Sequence, residues 1–155
     1  MEINEKVLKS IKNILNKNKL LTLSTSYNNQ PHSNTAYYTF DKEFNIYIWS
    51  EKNTKHERNI SKNNKVAVNI FDSSQKWGSL LQGIQAIGTA TPIKNSELIR
   101  VGTLYIKRFP SSIKIIKKIK GFHDKIFKSR IYKIKLDKIK VFDEKTFGKG
   151  EFREV

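Results

Sequence analysis

The sequence predicts an α+β fold whose antiparallel strands close into a barrel or a sandwich, with helices at its ends and between its strands. Several short segments alternate apolar and polar residues, and turn-forming residues separate them at close spacing, which is typical of such sheets. Other segments repeat apolar residues every three or four positions, which is typical of amphipathic helices docked on a core. The chain has 155 residues and no internal repeat or long linker, so we expect one domain over residues 1–155.

The first half of the chain carries the clearest patterns. Residues 3–18 place apolar side chains at helical spacing, with Lys and Asn on the other face, and predict a helix. Residues 20–26 alternate apolar and hydroxyl side chains, and a Tyr-Asn-Asn-Gln-Pro turn joins them to an alternating strand over 32–40. A second turn leads to a strand at 44–49, and a short helix at 54–62 follows it.

The second half begins with a strand at 65–71 and a long strand-like segment at 80–93. The long segment contains Gly83 and Gly88, and glycine inside a strand indicates a bulge, a bend or a close backbone approach. The remaining predicted elements are helices at 95–107 and 111–119, strands at 131–136 and 139–142, and a polar tail.

The composition narrows the class of protein. There is no cysteine, and three scattered histidines do not predict a metal site. No apolar segment approaches the roughly 20 residues of a membrane span, and the N-terminus lacks a signal-peptide core, so we expect a soluble, cytoplasmic protein. The sequence contains no Ser-His-Asp, Cys-His or Walker pattern, which argues against a hydrolase or a nucleotide triphosphatase.

The net charge of +16 raises the possibility of a nucleic-acid-binding domain. Residues 107–140 hold 13 Lys or Arg and 2 Asp, so the excess charge is concentrated there. However, 25 of the 30 cations are Lys, whereas bidentate recognition of bases and phosphates favours Arg. We therefore keep nucleic-acid binding only as an alternative.

The segment Trp49–Ile60 is the most informative one. It joins two apolar strands and gathers Ser50, Lys52, Thr54, Lys55 and His56 at the start of a short helix. Helix starts present unpaired backbone N–H groups and attract anions, so hydroxyls and cations there predict a phosphate site. The alternative is a simple helix cap, because Thr54 and Glu57 have the spacing of a capping box.

The order of these segments resembles that of the pyridoxamine 5′-phosphate oxidase-like family, the FMN-binding split barrels. The resemblance covers nearly the whole chain and rests on LLTLSTS, HSNTAYY, NTKHERNI, KVAVNIF and QGIQAIGTA, in that order. It implies an antiparallel split β-barrel of six to seven strands with flanking helices. It also implies FMN as the cofactor, at the interface of a homodimer.

The resemblance further implies a set of cofactor-binding residues. The strand HSNTAYY would run beside the flavin, the Trp49–His56 segment would hold the phosphate, and two glutamines on the long strand would reach the ring or the ribityl chain. The expected cofactor-binding residues are Asn34, Thr35, Ala36, Trp49, Ser50, Thr54, Lys55, His56, Gln82 and Gln85. No catalytic residue is predicted, since the flavin would supply the redox chemistry.

The sequence departs from the family pattern at two places. The vitamin-oxidising members carry an Arg and a Lys on the second strand, where this chain has Asn34 and Thr39. Their C-terminal substrate residues have no match in KTFGKGEFREV. The chain is therefore similar to the small family members, and we expect a flavin-dependent oxidoreductase on a small molecule that does not oxidise pyridoxamine phosphate efficiently. A flavin- or haem-binding barrel without turnover is the alternative.

The missing cations suggest a role for the second subunit. Lys107 or Arg108 of one chain could complete the phosphate site of the other. The neighbouring Leu104, Tyr105, Ile106 and Phe109 would suit the core of an interface, or would dock their helix on its own barrel.

Overall fold

The computed structural model describes residues 5–113 and 129–155. Its helices are α1 (Glu5–Lys17), α2 (Lys55–Lys62), α3 (Leu98–Arg108) and α4 (Glu144–Phe147), with a 3-10 turn at Asn95–Glu97. Its strands are β1 (Leu20–Tyr27), β2 (Gln30–Phe40), β3 (Ile46–Glu51), β4 (Lys65–Phe71), β5 (Gln82–Pro92), β6 (Ser129–Asp143) and β7 (Phe152–Glu154). The predicted α+β class and the order of the elements are confirmed. Most of the helix predicted at 111–119 lies outside the described residues.

The seven strands form one antiparallel sheet in the order β3-β2-β1-β4-β5-β6-β7. β3 also pairs with β6, so the first six strands close into a barrel and β7 is an additional strand. The pairing of β3 is uneven. Residues 46–48 pair with both β2 and β6, whereas residues 49–51 pair with β6 alone. The barrel is therefore split beyond Ile48, where β2 and β3 separate.

Local sequence explains the turns and the bends of the sheet. Asn28 and Asn29 both have positive φ angles (51° and 58°), which gives the tight two-residue hairpin that Asn favours between β1 and β2. The register of β5 with β6 shifts between Ile87 and Gly88. A Cβ atom on Gly88 would collide with the backbone carbonyl of Lys135, so the bulge requires glycine there.

The same bulge corrects one sequence prediction. The strands predicted at 131–136 and 139–142 are one continuous strand, β6. Asp137 is the extra residue between Leu136 and Lys138, which pair with Gly88 and Ile87. The side chain of Asp137 accepts a hydrogen bond from the Thr89 hydroxyl at 3.0 Å. Asp137 and Lys138, the polar pair between the two predicted strands, therefore mark a bulge within one strand and not the end of a strand.

Helix α1 covers one side of the barrel with a mostly apolar face, whose buried Ser10 donates a hydrogen bond to Asp143 at 2.6 Å. Val7, Ile11, Ile14 and Leu15 are buried against the main core. The carbonyl oxygens of Leu15 and Asn18, at the C-terminal end of this helix, share the single proton of the Tyr38 hydroxyl, whose oxygen lies 2.9 Å from each. They also accept from the Arg108 guanidinium at 2.5 Å each.

Helix α3 packs on a second, smaller apolar cluster made by Tyr47, Val101, Tyr105 and Ile131. Leu104 and Phe109 pack against this cluster as well, so they dock α3 on its own barrel. This favours docking of α3 on its own barrel over the alternative role of these residues in the core of a subunit interface. Among the helices of residues 5–113 and 129–155, none has the length and apolar composition needed to cross a bilayer.

Candidate functional site

A cleft opens where β2 and β3 separate. It has a volume of about 410 Å³, which lies within the usual range for ligand pockets of roughly 300–1,000 Å³. One wall is β2, the other is the end of β3, and α2 and α3 supply the two ends. The lining residues are Asn34, Thr35, Ala36, Tyr37, Ile48, Trp49, Ser50, Glu51, Thr54, His56 and Tyr105.

Two hydroxyls and an imidazole meet at the α2 end of the cleft. The Oγ atom of Ser50 lies 2.6 Å from Nε2 of His56, and the Oγ1 atom of Thr54 lies 3.1 Å from the same nitrogen. The two hydroxyl oxygens are 3.4 Å apart. Ser50 ends the inward-facing alternation of β3, and Thr54 and His56 flank the start of α2. All three groups can donate hydrogen bonds, as an anion site requires.

The local environment holds His56 in its neutral form. Burial lowers the pKa of the His56 imidazole below its ordinary value of 6.5, and the charge on His32 lowers it further, while Glu57 acts in the opposite direction. The rings of His32 and His56 lie parallel, with an angle of 8° between their planes and 6.3 Å between their centroids. A neutral imidazole in contact with Ser50 then marks this end of the cleft.

Glu57 is buried behind this group and is held by three partners. Its carboxylate accepts hydrogen bonds from the Asn53 backbone N–H at 2.7 Å and from the Tyr132 hydroxyl at 3.3 Å, and it pairs with Arg130 at 3.3 Å. The predicted capping box is wrong in detail. Glu57 reaches back to Asn53, and the Thr54 side chain does not cap α2, because its hydroxyl lies against Ser50 and His56 instead.

A residue in the β2 wall of the cleft carries an unsatisfied acceptor. The Oδ1 atom of Asn34 is buried and has no hydrogen-bond partner within the described chain. Leaving such an acceptor unpaired costs roughly 1–3 kcal/mol. Because Asn34 lines the cleft, a turn of its side chain on binding would bring this oxygen to a donor group of the ligand.

The other end of the cleft is aromatic. The ring of Tyr105 packs edge-on against Trp49, with centroids 6.2 Å apart, and lies 6.1 Å from Phe109. Tyr37 packs edge-on against Phe109 at 5.5 Å and is 62% exposed. The Tyr105 hydroxyl donates to the Tyr47 carbonyl at 2.8 Å, which ties α3 to the end of the split. The cleft thus has a polar end and an aromatic end.

Seven of the ten predicted residues line this cleft: Asn34, Thr35, Ala36, Trp49, Ser50, Thr54 and His56. The other three lie elsewhere in the single chain. Lys55 is exposed on α2 and does not line the cleft. Gln82 lies at the start of β5, where its backbone N–H and carbonyl bond to the side chain of Gln75.

Gln85 lies on the outer face of β5. It shares a cross-strand row with Asn69, Thr22 and Thr35. Three strand spacings of about 4.8 Å therefore separate it from the cleft wall, or roughly 14 Å. Within one chain it does not reach the cleft.

Sequence reasoning missed several site residues. His32 could have been found, because alternate residues of a strand lie on the same face, which places His32 on the face of β2 that carries Asn34 and Ala36. Tyr105 comes from a helix about 55 positions further along the chain than Ser50, so no local signal places it there. The departure at Thr39 has no effect on the site, since Thr39 is buried and does not line the cleft.

The described residues offer no group of three His, Asp or Glu side chains close enough to hold a metal ion.

A closed six-stranded antiparallel barrel with one additional strand, split over a ligand-sized cleft, defines a split-barrel protein. Residues 7–142 match the family model described as pyridoxamine 5′-phosphate oxidase. The chain belongs to this family.

Individual relatives agree with that membership. The UPF0306 protein PM1958 of Pasteurella multocida (strain Pm70) is 32% identical over 99 residues, which span 63% of this chain and 65% of that protein. Campylobacter jejuni ChuZ superposes with a TM-score of 0.76 at 16% identity, covering all of this chain and 61% of its own. HutZ, a haem storage protein from Vibrio cholerae, gives 0.70 at 16% identity, covering 88% of this chain and 94% of its own. At these identities the two structures agree with this chain in fold.

Proposed function

We propose that this protein binds FMN in the cleft between β2 and β3, with the phosphate at Ser50, Thr54 and His56. The observation that carries the proposal is the pairing of this three-donor group with the unsatisfied Asn34 acceptor in one cleft. The donors suit a phosphate, and Asn34 suits a hydroxyl or N–H group further along the same ligand. The aromatic end suits a planar ring system.

The residues of the chain would bind and orient the cofactor. Ser50 and Thr54 would donate to the phosphate, and Asn34 would accept from the ribityl chain or the ring. The free edge of β2, where β3 no longer pairs with it, offers backbone groups beside the same ligand. When bound, the flavin supplies hydride or electron transfer, and the protein acts as an oxidoreductase on a small molecule.

We do not expect efficient oxidation of pyridoxamine phosphate. The C-terminal residues pair with the far end of β6, where Lys140 faces Glu154 and Val155 bonds to Ile139. The split of the barrel lies at the opposite end of β6, beside residues 129–131. Within one chain, the tail is therefore held away from the cleft.

The proposal includes a homodimer that shares the flavin sites. The outer face of four neighbouring strands carries no charged residue at its central positions, although the chain carries +16 overall. These positions are Thr22, Ser24, Ser33, Thr35, Tyr37, Ala67, Asn69, Phe71, Gln85 and Ile87. Two cationic chains can share a neutral face without bringing like charges into direct contact. The partner subunit's Gln85, on the same face, would then be available to the cleft.

The first experiment is an absorption spectrum of the freshly purified protein, with the released chromophore identified by mass. FMN supports the proposal, and a haem spectrum or the absence of flavin binding on titration refutes it. The phosphate position is tested with S50A/T54A, for which we expect FMN to bind at least about 100-fold more weakly, since hydrogen bonds to charged groups contribute roughly 1.5–3 kcal/mol each. K55A, one position further on α2 but outside the cleft, is the matched control and should change FMN affinity less than about threefold. Equal losses in both variants would show that the phosphate lies elsewhere.

The dimer is tested by light scattering at physiological salt. Ile87→Lys places a cation on the neutral face at its β5 edge, opposite Lys138 of β6, and should yield monomers. Ile99→Lys is the control, because Ile99 is 86% exposed on α3 and lies off this face. A monomeric parent protein with flavin fully bound would refute the shared site.

A further inference from the structure

The two histidines near the polar end of the cleft come from different elements, and His56 is the one that lines the cleft. His32 lies on β2, two positions before Asn34, and His56 lies on the first turn of α2. Their rings are parallel and 6.3 Å apart. Two protonated imidazoles at this separation would repel each other, so the pair holds at most one charge easily in the absence of an anion.

The position of Ser50 adds a second constraint. Ser50 is 5% exposed, and its hydroxyl lies 2.6 Å from Nε2 of His56. In the free protein the hydroxyl can donate to this nitrogen when the ring is neutral there. If an anion enters, the same nitrogen can carry a proton and donate to the anion, and the Ser50 hydroxyl can turn to do the same.

We propose that His32 and His56 make the phosphate site proton-linked, so that His56 is neutral in the free protein and takes up one proton when a phosphate group binds beside Ser50 and Thr54. The proton comes from solvent and goes to a ring nitrogen of His56. This inference rests on the proposed function only for the identity of the ligand, a phosphate monoester. Any dianion of similar size would have the same effect.

The charges around His56 agree with this behaviour. From β2 it faces His32, and from β3 it faces Ser50 and Glu51, which lines the same cleft. On its own helix Lys55 precedes it and Glu57 follows it. The charge of Glu57 favours the imidazolium, but Arg130 from β6 already pairs with Glu57 at 3.3 Å, and Tyr132 donates to it. Lys52 adds a positive charge in the segment before the helix.

The consequence is a dependence of cofactor affinity on pH. Burial and His32 lower the pKa of His56 in the free protein, and a bound dianion raises it. Between these two values, binding takes up a proton, and affinity falls by up to about tenfold for each unit of rising pH. The effect should be measured above about pH 6.5, because the FMN phosphate itself gains its second proton near pH 6.

Proton NMR of the histidine ring signals tests the first step directly. The His56 signal is assigned from its loss in H56N, and its titration is followed without ligand, with sulfate and with FMN. We use sulfate because its charge is constant over this range. The expected result is a higher pKa for His56 with either ligand. An unchanged pKa in the presence of bound FMN would overturn the inference and leave the proposed function intact.

FMN titrations from about pH 6.5 to about pH 8.5 test the second step. The parent protein should lose affinity as pH rises, whereas H56N and H56Q should bind more weakly at pH 6.5 and show a flat profile. Riboflavin, which lacks the phosphate, should give a flat profile with the parent protein. H32N should give a shallower profile, because His56 is then more easily protonated before the ligand arrives. A profile of H32N equal to that of the parent would refute the role of His32.

The two proposals fail in distinguishable ways. If sulfate raises the pKa of His56 but FMN does not bind at any pH, the proton-linked site stands and the flavin function falls. If neither ligand has any effect on His56 or binds, both fall. If FMN binds with the same affinity across the range, only the proton linkage falls.

Discussion

Arg108 is the residue whose replacement tests the structure most directly. Its guanidinium donates to the carbonyls of Leu15 and Asn18, at the end of α1, and stacks 4.7 Å from the ring centroid of Tyr38. It therefore fastens α3 to both α1 and β2. This differs from the sequence-based expectation that Arg108 serves the partner's phosphate site. The variant R108M keeps the apolar stem and removes the charged group.

The expected loss of stability follows from these contacts. Two hydrogen bonds from a charged donor contribute roughly 1.5–3 kcal/mol each, and a cation–π contact about 0.5–2 kcal/mol. The guanidinium is half-buried, so regained hydration offsets part of the loss. The two carbonyls also still share the single proton of the Tyr38 hydroxyl. We expect R108M to lower the free energy of unfolding by about 2–3 kcal/mol, which corresponds to a fall in Tm of roughly 4–12 °C.

Urea unfolding followed by fluorescence measures this loss, with K107M as the matched control. Lys107 is the exposed neighbour on the same helix, and both substitutions remove one positive charge. K107M should change the free energy of unfolding by less than about 0.5 kcal/mol. If R108M falls within about 0.5 kcal/mol of K107M, the fastening role is refuted. If R108M stays as stable as the parent but loses FMN binding, Arg108 belongs to a shared site after all.

Two further predictions concern the barrel and its acid stability. Gly88→Ala should lower the free energy of unfolding by about 2–3 kcal/mol, because the added Cβ atom would collide with the backbone of β6. The control is Gly102→Ala in α3, whose added Cβ atom meets nothing within 4 Å and should leave stability unchanged or raise it by up to about 1 kcal/mol. Equal effects of the two substitutions in urea unfolding would contradict this. Burial raises the pKa of Asp41, but hydrogen bonds from Asn45 and Tyr47 outweigh it, so the pKa is lowered overall. The stabilisation from Asp41 is then present above its unfolded pKa near 3.8 and is lost as pH falls through the lower folded value. Between about pH 5 and pH 2, the free energy of unfolding should therefore fall more steeply for the parent protein than for D41N.

Most of the fold could be predicted from the sequence because its strands alternate so regularly. The outward Thr22, Ser24 and Ser26 of β1 alternate with the buried Leu21, Leu23 and Thr25, and such a period of two is a local signal. The bulge at Asp137 was not predictable, since a polar pair inside a strand looks the same as a strand end. What distinguishes them is Gly88, about 50 positions away on β5.

The site could be predicted only where it is local. Ser50, Thr54 and His56 lie within seven positions of one another, and the turn between β3 and α2 brings them together. The position of Tyr105 at the cleft depends on long-range packing, and the distance of Gln85 from the cleft depends on the pairing of four strands. A single sequence specifies neither. The family resemblance supplied the glutamines without showing on which side of the barrel they lie.

The double pairing of β3 has a consequence for the order of folding. β3 closes the barrel by pairing with β6, and Ile46 faces Ile134 across 88 positions of the chain. The β1–β2 hairpin and the β4–β5 pair form over much shorter loops, and short loops lose less entropy on closure. We therefore expect β3 to join β6 late. Because one wall of the cleft is the end of β3, the cleft forms only at this last step, and a chain with an unclosed barrel would lack that wall.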